Sequence, residues 1–156
     1  YLPFGATVFN EKICKVFHAT NSTIIHGSTQ AGNLLSCSAS VSTIEQYIKN
    51  DIWLNVKEMG AYLREQLENR LFYHRNVGNI KGEGLLIGID LVRNIDSYEF
   101  LSRKLIYDVQ QYIKEQGLLV YRSEKGLIIL PMLIINKHEC DIILNILEKS
   151  FNNILF

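Results

Sequence analysis

The sequence has no excess of charge of either sign: Lys and Arg number 16, and so do Asp and Glu. That balance argues against a general nucleic-acid-binding surface, which needs a basic excess. No apolar run approaches the roughly 18 residues of a membrane-spanning helix. No signal-peptide pattern is present, because the chain opens Tyr1-Leu2-Pro3-Phe4 with neither Met nor a basic stretch. Proline occurs twice, too rarely for a Pro-rich linker, and neither repeats nor low-complexity segments occur. Cysteine is scarce. Cys14, Cys37 and Cys140 are odd in number and widely spaced, so no CxxC or Cys/His pattern suggests a metal site. They read as free thiols of a cytosolic protein, with burial expected rather than reactivity.

What remains is an ordinary globular composition, 47% apolar and 21% charged over 156 residues, about the length of one domain. The apolar, aromatic opening reads as the middle of a fold. The expectation is a piece of a longer polypeptide.

The chain divides by pattern. Residues 1 to 29 are irregular: "ATVF" (6–9) suggests a strand, "EKICKVF" (11–17) one or two helical turns, and "HATNST" (18–23) a loop. From residue 30 the periodicity is clear. Residues 30 to 49 suit a helix dominated by small residues, and its lean surface reads as a tightly packed core helix. A second helix follows Asn50 or Asp51 as N-cap, with Ile52, Val56, Met59, Leu63, Leu67 and Leu71 along one face.

"VGNIKGEGLLIGIDLV" (77–92) reads as two strands parted by Gly82 and Gly84. The second is apolar enough to be buried on both faces. Residues 99 to 116 read as a helix with Leu101, Leu105, Val109 and Tyr112 inward, ended by Gly117. "LLVYR" (118–122) and "LIILPMLII" (127–135) read as a hairpin around "SEKG". Asn136 and Glu139 resemble a capping box opening a last helix. The order from residue 77 predicts an α+β fold, a mainly antiparallel sheet with helices on one face.

Candidate sites each carry two readings. Ser28 and Thr29 stand ahead of the lean helix. They serve either as an N-cap or, with the free N–H groups of a helix start, as donors to a phosphate; position alone favours the cap. His26 reads as a hydrogen-bonded core histidine. "GEGLLIG" has the spacing GxGxxxG, which fits a tight turn and not a dinucleotide fingerprint. Arg122 ends a strand beside a turn. It is either a surface arginine, the better reading unaided, or a fork for a carboxylate. No nucleophile–base–orienter triad is evident, so no catalytic residue is assigned.

Four blocks in order carry a family resemblance: "GATVFNEKICKVF", "HGSTQAGNLLSCSASVSTIEQY", "VGNIKGEGLLIGIDLV" and "GLLVYRSEKGLIILPMLII". Together they resemble the class III aminotransferases, fold-type-I enzymes that use pyridoxal 5'-phosphate (PLP). The resemblance covers essentially the whole chain. It implies the C-terminal part of such an enzyme, with residues 1–49 a remnant of the large PLP-binding domain and its connecting helix, and 50–156 the C-terminal small domain. It implies a lysine that carries the cofactor a few residues before Tyr1, and gives no lysine of this sequence that role. It implies that Thr29, with Ser28 beside it, binds the phosphate of the cofactor in the other subunit of a homodimer. It implies that Arg122 grips a substrate carboxylate. Three departures from the pattern are visible. The turn from Arg122 to Pro131 is shorter by about one residue, a hairpin difference. Pro131-Met132 replaces a Pro-Pro pair, and Lys81 stands for the arginine of an RGxG block.

The activity so implied is transfer of an amino group from an omega-amino acid or amine to a keto acid, in a cytoplasmic enzyme. A diaminopelargonic-acid aminotransferase of the biotin pathway and an aminomutase of glutamate-semialdehyde type are the alternatives within the family. A stand-alone, non-catalytic α+β module binding a small anion or a partner chain is the alternative of another class.

Overall fold

The apolar stripe from Ile52 to Leu71 leaves water only if its helix packs on a partner element. The structure, a computed structural model that describes residues 2–71 and 73–154, builds that arrangement. The opening Tyr1 lies outside the described residues. The chain divides into two units, residues 1–50 and 51–156.

In the second unit α3 (Ile52–Leu71) turns Ile52, Leu63, Leu67 and Leu71 inward. Asp51 precedes it in a left-handed conformation (φ 48°), and its carbonyl accepts the N–H groups of Leu54 and Asn55. β1 (Val77–Glu83) and β2 (Leu86–Asn94) form an antiparallel hairpin. A short β3 (Glu99–Phe100) adds to the far end of β2. After α4 (Arg103–Glu115) come β4 (Tyr121–Arg122) and β5 (Gly126–Ile129). The main sheet runs β1-β2-β5-β4, antiparallel throughout. α5 (Lys137–Ile154) closes the unit.

Register sets which face is dry. Ile87 pairs with Ile129, and Ile89 with Leu127 and Ile80. These side chains pack with Leu63 and Leu67 of α3, Ile106, Val109 and Ile113 of α4, and Leu144, Leu147 and Phe151 of α5. The alternate residues of β2, Leu86 and Gly88, point away from that core, and Leu86 is exposed. Helices therefore cover one face, as the element order predicts. The expected capping box is complete: Asn136 N–H donates to Glu139 Oε2 at 2.9 Å, and Glu139 N–H to Asn136 Oδ1 at 3.0 Å. One close approach fixes α3 over the first hairpin. A Cβ on Gly60 would stand 2.5 Å from the backbone of Gly84, so only glycine lets the helix and turn meet.

Several boundaries differ from the pattern. The segment 127–135 leaves the sheet at Ile129, two residues before Pro131, which has no N–H to give a ladder. β4 keeps only the two residues that pair with β5. α4 starts at Arg103, because the Ser102 hydroxyl accepts the N–H of Leu105 and caps it there. Its buried stripe is Ile106, Val109 and Ile113, one residue out of phase with the expected Leu105 and Tyr112, which are only half-buried.

In the first unit α1 (Glu11–Ala19) is capped by Asn10, whose side chain accepts from Ile13 N–H at 3.0 Å. The expected strand at 6–9 does not form. α2 (Leu34–Lys49) starts four residues later than expected. Asn33 caps it by accepting the N–H of Ser36 at 3.1 Å, and Gly32 before it takes φ 70°, a turn geometry that ends any earlier helix. None of the described residues 2–50 is buried. Within this chain α2 does not form the core that its small residues lead one to expect: Leu34, Val41, Ile44 and Ile48 are exposed on it. Cys140 alone of the cysteines is buried, and burial pushes its thiol upward; Cys14 and Cys37 are half-buried.

His74 gives the second unit a pH dependence. Its ring packs against Phe151 at 5.9 Å between centroids, and Nδ1 accepts the Asn76 N–H at 3.3 Å. Burial, aided by the charge of Arg75 and opposed by a hydrogen bond with the Phe151 backbone, lowers the imidazole from its ordinary 6.5. A lowered folded value means that its contribution is complete above the unfolded pKa and is lost as pH falls through the folded one. Stability should therefore decline on acidification below the ordinary histidine range, and His74 should titrate below the free imidazole by NMR. A His74 titration at or above 6.5 would contradict this.

Candidate functional site

The β4–β5 hairpin builds the first candidate. Pairing of Tyr121 with Ile128 and Arg122 with Leu127 places Arg122 at the last strand position before the turn. The Ser123 N–H donates to Gly126 O at 2.8 Å, and the Leu91 N–H to Lys125 O at 2.8 Å, so the turn is tied to itself and to β2. A Cβ on Gly126 would run into the Ile89 carbonyl, which leaves glycine alone at that corner. Gln110 of α4 donates to Val120 O at 2.7 Å and holds the helix beside the strand. That contact brings Tyr107 under Arg122, with the guanidinium carbon 5.0 Å from the ring centroid.

The Arg122 side chain has no hydrogen bond or ion pair among the described residues. The nearby carboxylate of Glu124 is bound instead by Arg103. Arg103, Arg122, Ser123 and Glu124 line an open cleft of about 300 Å3. A guanidinium with its N–H edge unengaged suits a planar carboxylate.

The second candidate lies in the first unit. Ser28 lines a cleft of about 600 Å3 with His26, Gly27, Gln30 and Asn33 among others. Thr29 is not among the residues lining it. Ser28 and Thr29 do not cap a helix. They stand in a turn, closed by Ala31 N–H donating to Ser28 O, and the cap belongs to Asn33. The helix-entrance reading of Thr29 is corrected accordingly, since the dipole end of α2 lies beyond it. The chemistry of the donor set still suits a phosphate. Among the described residues the two hydroxyls, and the N–H groups of Gly27, Ser28, Thr29 and Gln30, have no acceptor. His26 is exposed in this chain and its ring has no hydrogen bond among the described residues, unlike the hydrogen-bonded core histidine expected.

Two features escaped the sequence. Tyr107 under Arg122 was hidden because a 15-residue separation carries no periodic signal; an aromatic residue just beside the helix stripe was the available hint. The other is a buried carboxylate. Lys81 Nζ contacts both oxygens of Asp90 at 2.7 Å, and the Tyr98 hydroxyl donates to Asp90 at 3.4 Å. Burial and the Asp90 charge push the Tyr98 hydroxyl upward. Asp90 within the apolar run "LLIGIDLV" was the signal. No group of three or more His, Cys, Asp or Glu side chains is placed to hold a metal among the described residues, and no helix there is long and apolar enough to cross a membrane.

The antiparallel sheet backed by three helices is the fold of a transaminase segment. An omega-transaminase from Thermomicrobium roseum superposes with a TM-score of 0.81 over 94% of this chain and 33% of its own, at 24% identity. An amine transaminase from an uncultivated Pseudomonas species, in PLP-bound form, gives 0.80 over 94% of this chain and 34% of its own, at 26% identity. The chain belongs to the class III aminotransferase family, whose profile matches residues 2–151. It is 32% identical to the adenosylmethionine-8-amino-7-oxononanoate aminotransferase of Staphylococcus aureus, over 99% of this chain and 35% of the relative. It is 34% identical to the acetylornithine aminotransferase of Methanocaldococcus jannaschii, over 98% of this chain and 35% of the relative. The chain thus spans about a third of the length of these relatives.

Proposed function

We propose that the chain is the C-terminal portion of a PLP-dependent aminotransferase, one that moves an amino group from an omega-amino acid or related amine to a keto acid. In this reading residues 1–49 belong to the large domain and its connecting helix, and 50–156 form the small domain. The enzyme is a cytoplasmic homodimer whose cofactor sites are shared between subunits. The observation that carries the reading is Arg122: a guanidinium on a fixed hairpin, free of any acidic partner among the described residues.

The roles follow from the side chains. Arg122 binds and orients the substrate carboxylate through its N–H edge. Ser28 and Thr29 hold the phosphate of the partner subunit's cofactor with hydroxyl and backbone donors. When bound, PLP supplies the electron sink that amino transfer needs. No residue of this chain is assigned the proton transfer.

Thr29→Ala in the intact enzyme tests the phosphate role. A hydrogen bond to a charged group contributes about 1.5–3 kcal/mol, so PLP affinity by absorbance titration should fall roughly 10- to 150-fold. Unchanged affinity removes Thr29 as an anchor. The likeness to the Staphylococcus aureus enzyme favours one second reading, with S-adenosylmethionine as donor. Turnover of simple amines with none of S-adenosylmethionine would eliminate it.

A further inference from the structure

The reading of Arg122 leaves open what aims it. Its guanidinium ends a long, flexible side chain on an exposed hairpin, and such a group spreads over many rotamers unless something restrains it. Acidic neighbours are the usual restraint, but one would occupy the N–H groups that a substrate needs. Here the nearest acidic residue on the hairpin, Glu124, is taken by Arg103. What remains against Arg122 is the Tyr107 ring, 5.0 Å from the guanidinium carbon and itself held on α4 next to the Gln110–Val120 contact.

An aromatic face restrains a guanidinium differently from a carboxylate. It attracts the flat face of the cation and leaves the in-plane N–H edge open. We infer that Tyr107 is the positioning residue of the carboxylate site. Stacking on it keeps Arg122 localised with its donors free, while Arg103 prevents Glu124 from filling the site. Tyr107 thereby tunes selectivity for substrates with a carboxylate over those without. This rests on the carboxylate-binding reading of Arg122 and goes beyond it by naming the group that aims it.

The test is calorimetric titration of the intact enzyme with valerate and with its neutral isostere valeramide. Tyr107→Leu should weaken valerate roughly 2- to 5-fold, the size of an exposed cation–π contact, and leave valeramide unchanged. Tyr107→Phe keeps the ring and should match the unmodified enzyme. Arg122→Ala is the control and should weaken valerate more than either. If Arg122→Ala weakens valerate while Tyr107→Leu does not, the positioning role is wrong and the arginine's role stands. A Phe variant as weak as the Leu variant also overturns the role, because the hydroxyl would then be what matters. If Arg122→Ala leaves valerate binding intact, both ideas fail together.

Discussion

Arg122→Ala in the intact enzyme is expected to raise KM for a carboxylate-bearing substrate by about 10- to 150-fold, with little change for an amine that lacks the carboxylate. The figure follows from the loss of charge-assisted hydrogen bonds worth about 1.5–3 kcal/mol. The selectivity of the loss is its diagnostic. A misfolded hairpin would lower both activities, but the Arg122 side chain is exposed and makes no described hydrogen bond, so its truncation leaves the backbone β4–β5 pairing intact. Arg122→Lys should recover only part of the loss, since an ammonium supplies charge without the planar fork. Steady-state kinetics with the two substrate types settle the matter: equal KM values in the alanine variant and the unmodified enzyme would end the carboxylate assignment.

Phe151→Ala should cost about 3–5 kcal/mol of stability, the range for deleting a buried aromatic ring. Phe151 is fully buried in α5, in the cluster that also holds Leu144, Leu147 and the β2 isoleucines. Its ring also backs His74, so the cavity would open beside a polar group. Single domains are stable by only about 5–15 kcal/mol, so the change would consume a large share of the total. Urea denaturation checks it, with Phe151→Leu expected to lose distinctly less. A loss below about 1 kcal/mol would mean that the surroundings collapse into the space, against the dense packing expected of such a core.

Much of the second unit was legible because its signals are local. Helical spacing announced α3, and Asn136 with Glu139 announced the start of α5 to the residue. The two hairpins followed from paired apolar runs around short turns. Phase was harder: α4 turned Ile106 and Ile113 inward, because burial is decided by which residues meet the sheet and α5, a choice made across the sequence. In the first unit the helices were legible but their packing and bounds were not, for a related reason. A tract of small residues suggests close packing, and in this chain α2 has no buried residue. The turn at 29–32 was concealed by one glycine in a left-handed conformation, which periodicity does not register. For the candidate site, only the family likeness raised Arg122 above a surface arginine, and it does not reveal a stacking partner 15 positions away on another element.

Residues 2–50 hold two capped helices and no interior. Asn10 and Asn33 decide where those helices begin, but nothing inside the segment decides that they endure, since α1 has nine residues and α2 is rich in serine, a weak helix former. Burial of Leu34, Val41, Ile44 and Ile48, all exposed in this chain, is what would hold α2 in place. A surface that covered them would also steady the turn closed by Ala31 N–H on Ser28 O, just ahead of α2.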